Sequence, residues 1–320
     1  MQQASDFCNR IFGAVKMNVV KNALLKKGWL QFDRSRRNDV GICYLINETD
    51  QNVCLCLGEL TTSFGDSAKV KKKMGKTYRN PPIVEAVCEF RLAPNAKWDI
   101  TSPGMIYEQV RNEFRIKEQS VFQQSVVTSG PTGAPPILSK VESVRFLSDD
   151  KLRLIQVAPR ILAINCLRPY PSWEGFKPMI ENAFDVLTDV TQADFFQRIG
   201  LMYVNRIEIP SPSATIKLDE YFEYRLFLGQ NLPKNVASFM VGSIFPFENG
   251  RDLCRVELIT AMPEKPKHAA CILTLDYFLA KPKAFSAPEV RDWVENAHQN
   301  IETTFEGCIT DSLRRIFEEV

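Results

Sequence analysis

Two arginines and a short row of carboxylates are the residues of this chain best suited to handling a charged ligand. Arg198 and Arg206 lie in "RIGLMYVNRIEI" (198–209), where strict alternation puts them on one face of a strand with Met202 and Glu208. Glu85, Glu89 and Arg91 share one face of "IVEAVCEFRL" (83–92). Arg255 and Glu257 share a face in "CRVELITAM", as do Thr274 and Asp276 in "HAACILTLDYFL". Strands joined with these faces aligned would make a wall of alternating charge. If the wall is concave, Arg198 and Arg206 could clamp a phosphate or carboxylate with their forked guanidinium groups. Glu85, Glu89 or Asp276 would then hold a divalent cation or act as a base. The plainer reading is the solvent face of an antiparallel sheet, with cross-strand ion pairs that stabilise by about 0.2–1 kcal/mol each. That reading is favoured, because one-sided solvation is the default for such sheets.

Other chemistries have less to stand on. "MGKT" (74–77) imitates the tail of a phosphate loop, but Val70 stands where the first glycine of that loop belongs. His268 and His298 are the two histidines, and no Cys-x-x-Cys pair exists. Cys54 and Cys56 give two thiols where a structural zinc site needs four ligands, so neither a metal site nor a cofactor is expected. There is no Gly-x-Ser-x-Gly elbow for a nucleophilic serine. Glu295 and Glu302 flank His298 at helical spacing, which reads as an exposed ion-pair ladder in preference to a general base. Asn205, among apolar neighbours, reads as a buried amide tying a loop or strand edge. Tyr170 and Trp173 read as core anchors of a helix start.

The elements that would position these residues follow from periodicity. Alternation predicts a strand at 83–92, a three-stranded meander over 140–167, a strand at 198–209, and three more at 238–247, 254–262 and 268–279. Helices are expected at 102–114 (Ser102 as cap, Pro103 in the first turn), at 172–190 (Ser172 as cap) and briefly at 218–227. A single helix of about 50 Å is expected to close the chain. Its apolar stripe runs through Val290, Trp293, Val294, Ala297, Ile301, Phe305, Ile309, Leu313 and Phe317. Runs of strands joined by tight turns predict an α+β fold: a largely antiparallel sheet of about seven strands, either two half-sheets or a partial barrel, covered by helices. The two halves share a strand–helix theme without sequence self-similarity.

Residues 1–73 read differently. They hold 12 Lys+Arg against 7 Asp+Glu, a net of +5, whereas residues 74–320 hold 28 against 31, a net of −3. A helix over 5–27, a hairpin over 40–60 around "NETDQN" and a polar linker ending in "KVKKK" are expected there. The basic run reads as a solvated cluster, with nucleic-acid contact the minority option. An overall formal charge of +2 argues for neither nucleic acid nor an anionic membrane. Nine cysteines, several inside apolar runs, and no signal-like N-terminus predict reduced, buried thiols in a cytoplasmic protein. No apolar stretch approaches the ~20 residues of a membrane span.

"NPPIVEAVCEFRL" (Asn80, Pro81, Pro82, Ile83, Glu85, Ala86, Val87, Glu89, Phe90, Arg91) resembles the opening signature of a sporadically distributed family of uncharacterised bacterial proteins. Three later stretches are similar to that family as well. They are "PYPSWEGF" (Pro169, Tyr170, Trp173, Glu174), "RIGLMYVNRIEIP" (Arg198, Gly200, Leu201, Tyr203, Asn205, Arg206), and "LTLDYF" followed by the closing helix. The resemblance covers 74–320 and implies no activity. It implies that residues 1–73 are either an appended segment or an upstream reading-frame extension, and that the protein is an accessory of a mobile or defence locus. The expected function is a non-enzymatic binding or interaction protein that meets an unknown partner, or a second copy of itself, through the charged sheet face or the C-terminal helix. The alternative is an enzyme or sensor that binds a phosphorylated small molecule or a nucleic-acid end at the charged face.

Overall fold

Alternation in the sequence becomes alternation in burial. The computed structural model describes residues 40–46, 53–59, 76–126, 137–212, 216–233, 235–281, 283–284 and 287–320. Strand β3 (Ile83–Leu92) has the expected bounds and buries Ala86, Cys88, Phe90 and Leu92. Strand β8 (Phe195–Pro210) buries Ile199, Leu201, Tyr203, Asn205, Ile207 and Ile209 on one face. These two strands pair antiparallel at the centre of the sheet, with Cys88 opposite Leu201 and Arg91 opposite Arg198.

On one side of this pair lie β7 (Ile161–Leu167), β6 (Arg153–Ala158), β5 (Ile137–Leu147) and β4 (Ile116–Val126). On the other lie β11 (His268–Leu279), β10 (Asp252–Ala261) and β9 (Met240–Phe247). A hairpin of β1 (Val40–Ile46) and β2 (Val53–Glu59) extends that edge, meeting β9 at the single pair Tyr44↔Met240. The two-residue β12 (Lys283–Ala284) pairs the start of β8. All these pairs are antiparallel, and the sheet is open, neither a barrel nor two half-sheets. Among the described residues of 83–279 there are nine strands, not seven or so. The clearest addition is β4, whose sequence "IKEQSVFQQSV" is too polar to announce a buried face. The chain order reveals a repeat that the sequence hides. Each half is a strand, a helix, an antiparallel meander and a longer helix, and the two leading strands, β3 and β8, pair with each other.

Helices cover one face. Helix α1 (Ser102–Val110) packs on α2 (Trp173–Thr191), which lies against β7. The cap of α1 is Thr101, one residue earlier than expected, and Asp99 Oδ1 accepts from the Thr101 and Ser102 amides at 2.8 and 3.1 Å. The Ser172 hydroxyl caps α2 as expected, accepting from the Gly175 amide. The short helix shrinks to one turn, α3 (Leu218–Tyr221). The closing helix does not run unbroken. It ends as α4 (Ala287–Cys308) and restarts as α5 (Asp311–Phe317). The break is made by remote backbone: Glu223 N donates to Cys308 O at 2.9 Å, and Thr310 N donates to Tyr221 O at 3.0 Å. At 22 residues α4 spans about 33 Å, not 50. Its stripe is covered by its own chain: Val290, Trp293, Val294, Ala297, Ile301, Leu313 and Phe317 are all buried.

Residues 77–80 are stitched to the last residues. Arg79 N donates to Glu318 O, Asn80 N to Phe317 O and Val320 N to Thr77 O, all at 3.0–3.1 Å. The expected helix over 5–27, the turn at 47–52, the linker at 61–73 and the loop at 129–136 lie outside the described residues.

Phe90 is fully buried, with the Phe184 ring of α2 at 5.2 Å and the Phe196 ring of β8 at 6.1 Å. Because it joins both halves to the helix layer, Phe90→Ala is expected to lower the unfolding free energy by about 3–5 kcal/mol. Urea denaturation measures this, and a loss below about 1 kcal/mol would deny Phe90 that central place.

Candidate functional site

The face of the sheet that no described helix covers carries the charges, and strand register decides which of them meet. Glu89 of β3 lies opposite Gly200 of β8, and Phe278 of β11 lies opposite Gly200 on its other side. Glycine leaves a gap in that row, and the Arg198 side chain turns into it. Its Nη1 donates to Glu89 Oε1 at 3.0 Å, and its Nη2 donates to both Asp276 oxygens at 2.7 and 2.9 Å. Its guanidinium carbon stands 4.8 Å from the centre of the Phe278 ring. A Cβ on residue 200 would lie 2.9 Å from that carbon and closer still to Nη1.

Arg198 therefore bridges β3, β8 and β11. Burial works against its charge, but the Asp276 and Glu89 carboxylates outweigh burial and hold its pKa above the ordinary arginine value. Arg91, directly opposite Arg198, also donates to Glu89 Oε1 at 3.0 Å, so the two facing cations share one carboxylate and Asp276 supplies the second. The four residues Glu89, Arg91, Arg198 and Asp276 thus come together.

The other candidates do not join them. Arg206 sits farther along β8, roughly 26 Å away by strand rise. Its Nε meets Glu208 at 3.0 Å and Glu264 at 3.1 Å, and it donates to the Met262 carbonyl. Glu85 accepts from Asn165 Nδ2 at 2.6 Å, and Gln156 donates to Asn165 Oδ1 at 3.0 Å. The face is also drier than a solvated sheet face: Asn165 is 2% exposed and the Asp276 side chain 13%. Asn205, on the helix-covered face, donates its amide to the Leu273 carbonyl of β11 at 3.1 Å.

Tyr170 and Trp173 belong to a different constellation, which sequence reasoning missed. His298 is buried at 8% exposure, not part of an open ladder. Its ring stacks on Trp173 with centroids 4.0 Å apart and planes 12° apart. Nδ1 lies 3.1 Å from the Tyr203 hydroxyl, which lies 3.2 Å from that of Tyr170, and Nε2 lies 3.3 Å from Glu302. Glu295 turns away to accept from Trp173, Lys177 and Gln299. The signal was present: His298 falls four residues after Val294 and three before Ile301, on the apolar stripe of α4.

The larger cleft lies elsewhere, an open hollow of about 500 Å3 between α3 and the α4–α5 break, lined by Asp219, Glu223, Glu306 and Asp311 among others. Between α2 and α4 there is only a slit of about 10 Å3. Among the described residues no three His, Cys, Asp or Glu side chains gather as a metal set. The five cysteines whose side chains are described, Cys88, Cys166, Cys254, Cys271 and Cys308, are free and buried, and burial raises the pKa of each.

The Gly200 gap makes two expectations measurable. Gly200→Ala pushes the pinned guanidinium off its carboxylates and is expected to cost about 1–3 kcal/mol, with much of that cost gone in an Arg198→Met background. Additive costs in a urea-denaturation cycle would show that the gap serves something else. Burial alone would raise Glu295, but its hydrogen bonds from Lys177, Trp173 and Gln299 prevail and bring it down to about 2. A depressed carboxylate stabilises the fold above the unfolded pKa of about 4.3, and that contribution is lost as pH falls toward 2. Glu295→Gln is accordingly expected to flatten the acid limb of the stability–pH curve, and an unchanged limb would contradict the assignment. Neither a family model nor a curated protein matches this chain.

Proposed function

We propose that this chain is a non-enzymatic binding protein that meets a protein partner through the charged face around Arg198. The observation that supports this reading is the commitment of Arg198. Both of its terminal nitrogens are taken by Glu89 and Asp276, so a phosphate would have to displace two carboxylates to be clamped. With Glu85, Glu89, Glu118, Glu208, Glu257 and Asp276 beside Arg91, Arg145, Arg198, Arg206 and Arg255, this face is of mixed sign, which suits complementary protein charges better than an anion. The carboxylates that would hold a cation or take a proton in an enzyme are engaged with Arg198, Arg91 and Asn165. The buried α4–α5 stripe leaves the sheet face as the better surface for a partner or a second copy. A cytoplasmic setting is part of this reading and rests on the five free, buried thiols.

Half-buried Val87 and Met202 face each other beside this network. A photo-crosslinking residue at either position is expected to give one discrete protein adduct in the native cell, and the same residue at exposed Met105 of α1 none. Thermal-shift screening of the full chain with nucleotides and sugar phosphates, with and without Mg2+, is expected to give no stabilisation. A saturable shift of about 2 °C or more that disappears in Arg198→Met would replace this reading with that of a sensor or enzyme for a phosphorylated ligand.

A further inference from the structure

The helix-covered side of the sheet holds a polar chain that the proposed contact surface does not use. It runs from Tyr170, at the β7–α2 connection, through Tyr203 of β8 to His298 and Glu302 of α4, in links of 3.2, 3.1 and 3.3 Å. The Tyr203–His298 link is buried, while the Glu302 side chain is 41% exposed and gives the chain a wet end. Burial pushes the Tyr170 and Tyr203 hydroxyls well above the ordinary tyrosine value, so both stay O–H groups.

Each link has room for one proton, and an inventory fixes their order. The Glu302 carboxylate, 3.3 Å from Nε2, attracts a proton to that nitrogen, which favours the Nε2–H form of a neutral imidazole. Nδ1 must then accept, which makes Tyr203 its donor and leaves the Tyr203 oxygen to accept from Tyr170. Every proton points toward Glu302. A second proton on the imidazole puts an N–H on Nδ1. Tyr203 then accepts there, and its own buried O–H, with Tyr170 as its other neighbour, turns to Tyr170 for a partner and releases the Tyr170 O–H.

We propose that this chain is a pH-responsive relay: protonation of His298 reverses the hydrogen bonds from His298 to Tyr170 and frees the Tyr170 hydroxyl as an outward donor. The surroundings can house the added charge. The Trp173 face is stacked on the ring and attracts a cation. Glu302 and Glu295 of α4 and Glu174 of α2 supply negative charge around it, and Lys177 of α2 is paired with Glu295 at 2.9 Å. Behind the tyrosines stand the thiols Cys88 of β3 and Cys166 of β7, both held neutral by burial. The relay stands apart from the Arg198 face and does not depend on the binding reading.

With two histidines and eight tyrosines, the intact chain can be labelled selectively and followed by NMR. At alkaline pH the His298 ring is expected to be the Nε2–H tautomer. As His298 takes its proton, the Cζ signals of Tyr203 and Tyr170 are expected to move with the same midpoint. In Tyr203→Phe the Tyr170 response should vanish while His298 still titrates. If that variant does not fold, Tyr170→Phe serves: Tyr203 must still follow His298. An Nδ1–H neutral tautomer, a Tyr170 response unchanged in Tyr203→Phe, a Tyr203 that ignores His298 in Tyr170→Phe, or a ring that takes no proton over about pH 5–9 would each overturn the relay.

Discussion

The antiparallel pairing of β3 with β8 is the constraint from which the rest of the structure follows. It is the seam between two halves of like topology, and neither half has a central strand partner without it. On the covered side it sets Cys88 against Leu201 and Ala86 against Tyr203, beneath α2 and α4. On the other side the same register sets Glu89 against Gly200 and Arg91 against Arg198. A slip of one residue would exchange the faces, burying the ion network and exposing the aromatic core. The packing of Phe90 and the geometry of Arg198 are thus two readings of one alignment.

The two faces solve the problem of polar groups in a dry place by different means. Around Arg198, charge is neutralised across three strands, so each ion has a partner within hydrogen-bonding reach. Around His298, neutral hydroxyls and an imidazole share one proton per hydrogen bond, and a single carboxylate ends the series. The first arrangement is rigid because removing any member strands a charge. The second is adjustable because its hydroxyls and its imidazole can each donate or accept.

The sequence makes parity legible and leaves register hidden. Strict alternation in "IVEAVCEFRL" and "RIGLMYVNRIEI" is enough to bound β3 and to sort β8 into two faces, since a half-buried strand has no other pattern. Parity alone also groups Arg206 and Glu85 with Arg198, yet register carries them to separate networks. Nothing local in "IKEQSVFQQSV" marks β4, which pairs along one edge only, with β5. The end of α4 is set by backbone bonds from residues 221–223, far off in sequence, so the uninterrupted stripe through Ile309 gave no warning. His298 is covered by Trp173, a residue of another helix, so acidic neighbours at helical spacing pointed to the wrong surface.

The stitching of residues 77–80 to residues 317–320 has a kinetic meaning. These contacts join the most distant parts of the described body, so their formation carries the largest loop-closure entropy of any pairing in it. They also rest on a few backbone bonds at a margin, supported by the Tyr78 ring against Phe317 and by Lys76 against Glu319. Such a clasp is expected to form after the sheet is assembled and to open before it comes apart. The Pro-Pro segment leading into β3 is therefore held on its upstream side by the chain's most remote partner among the described residues.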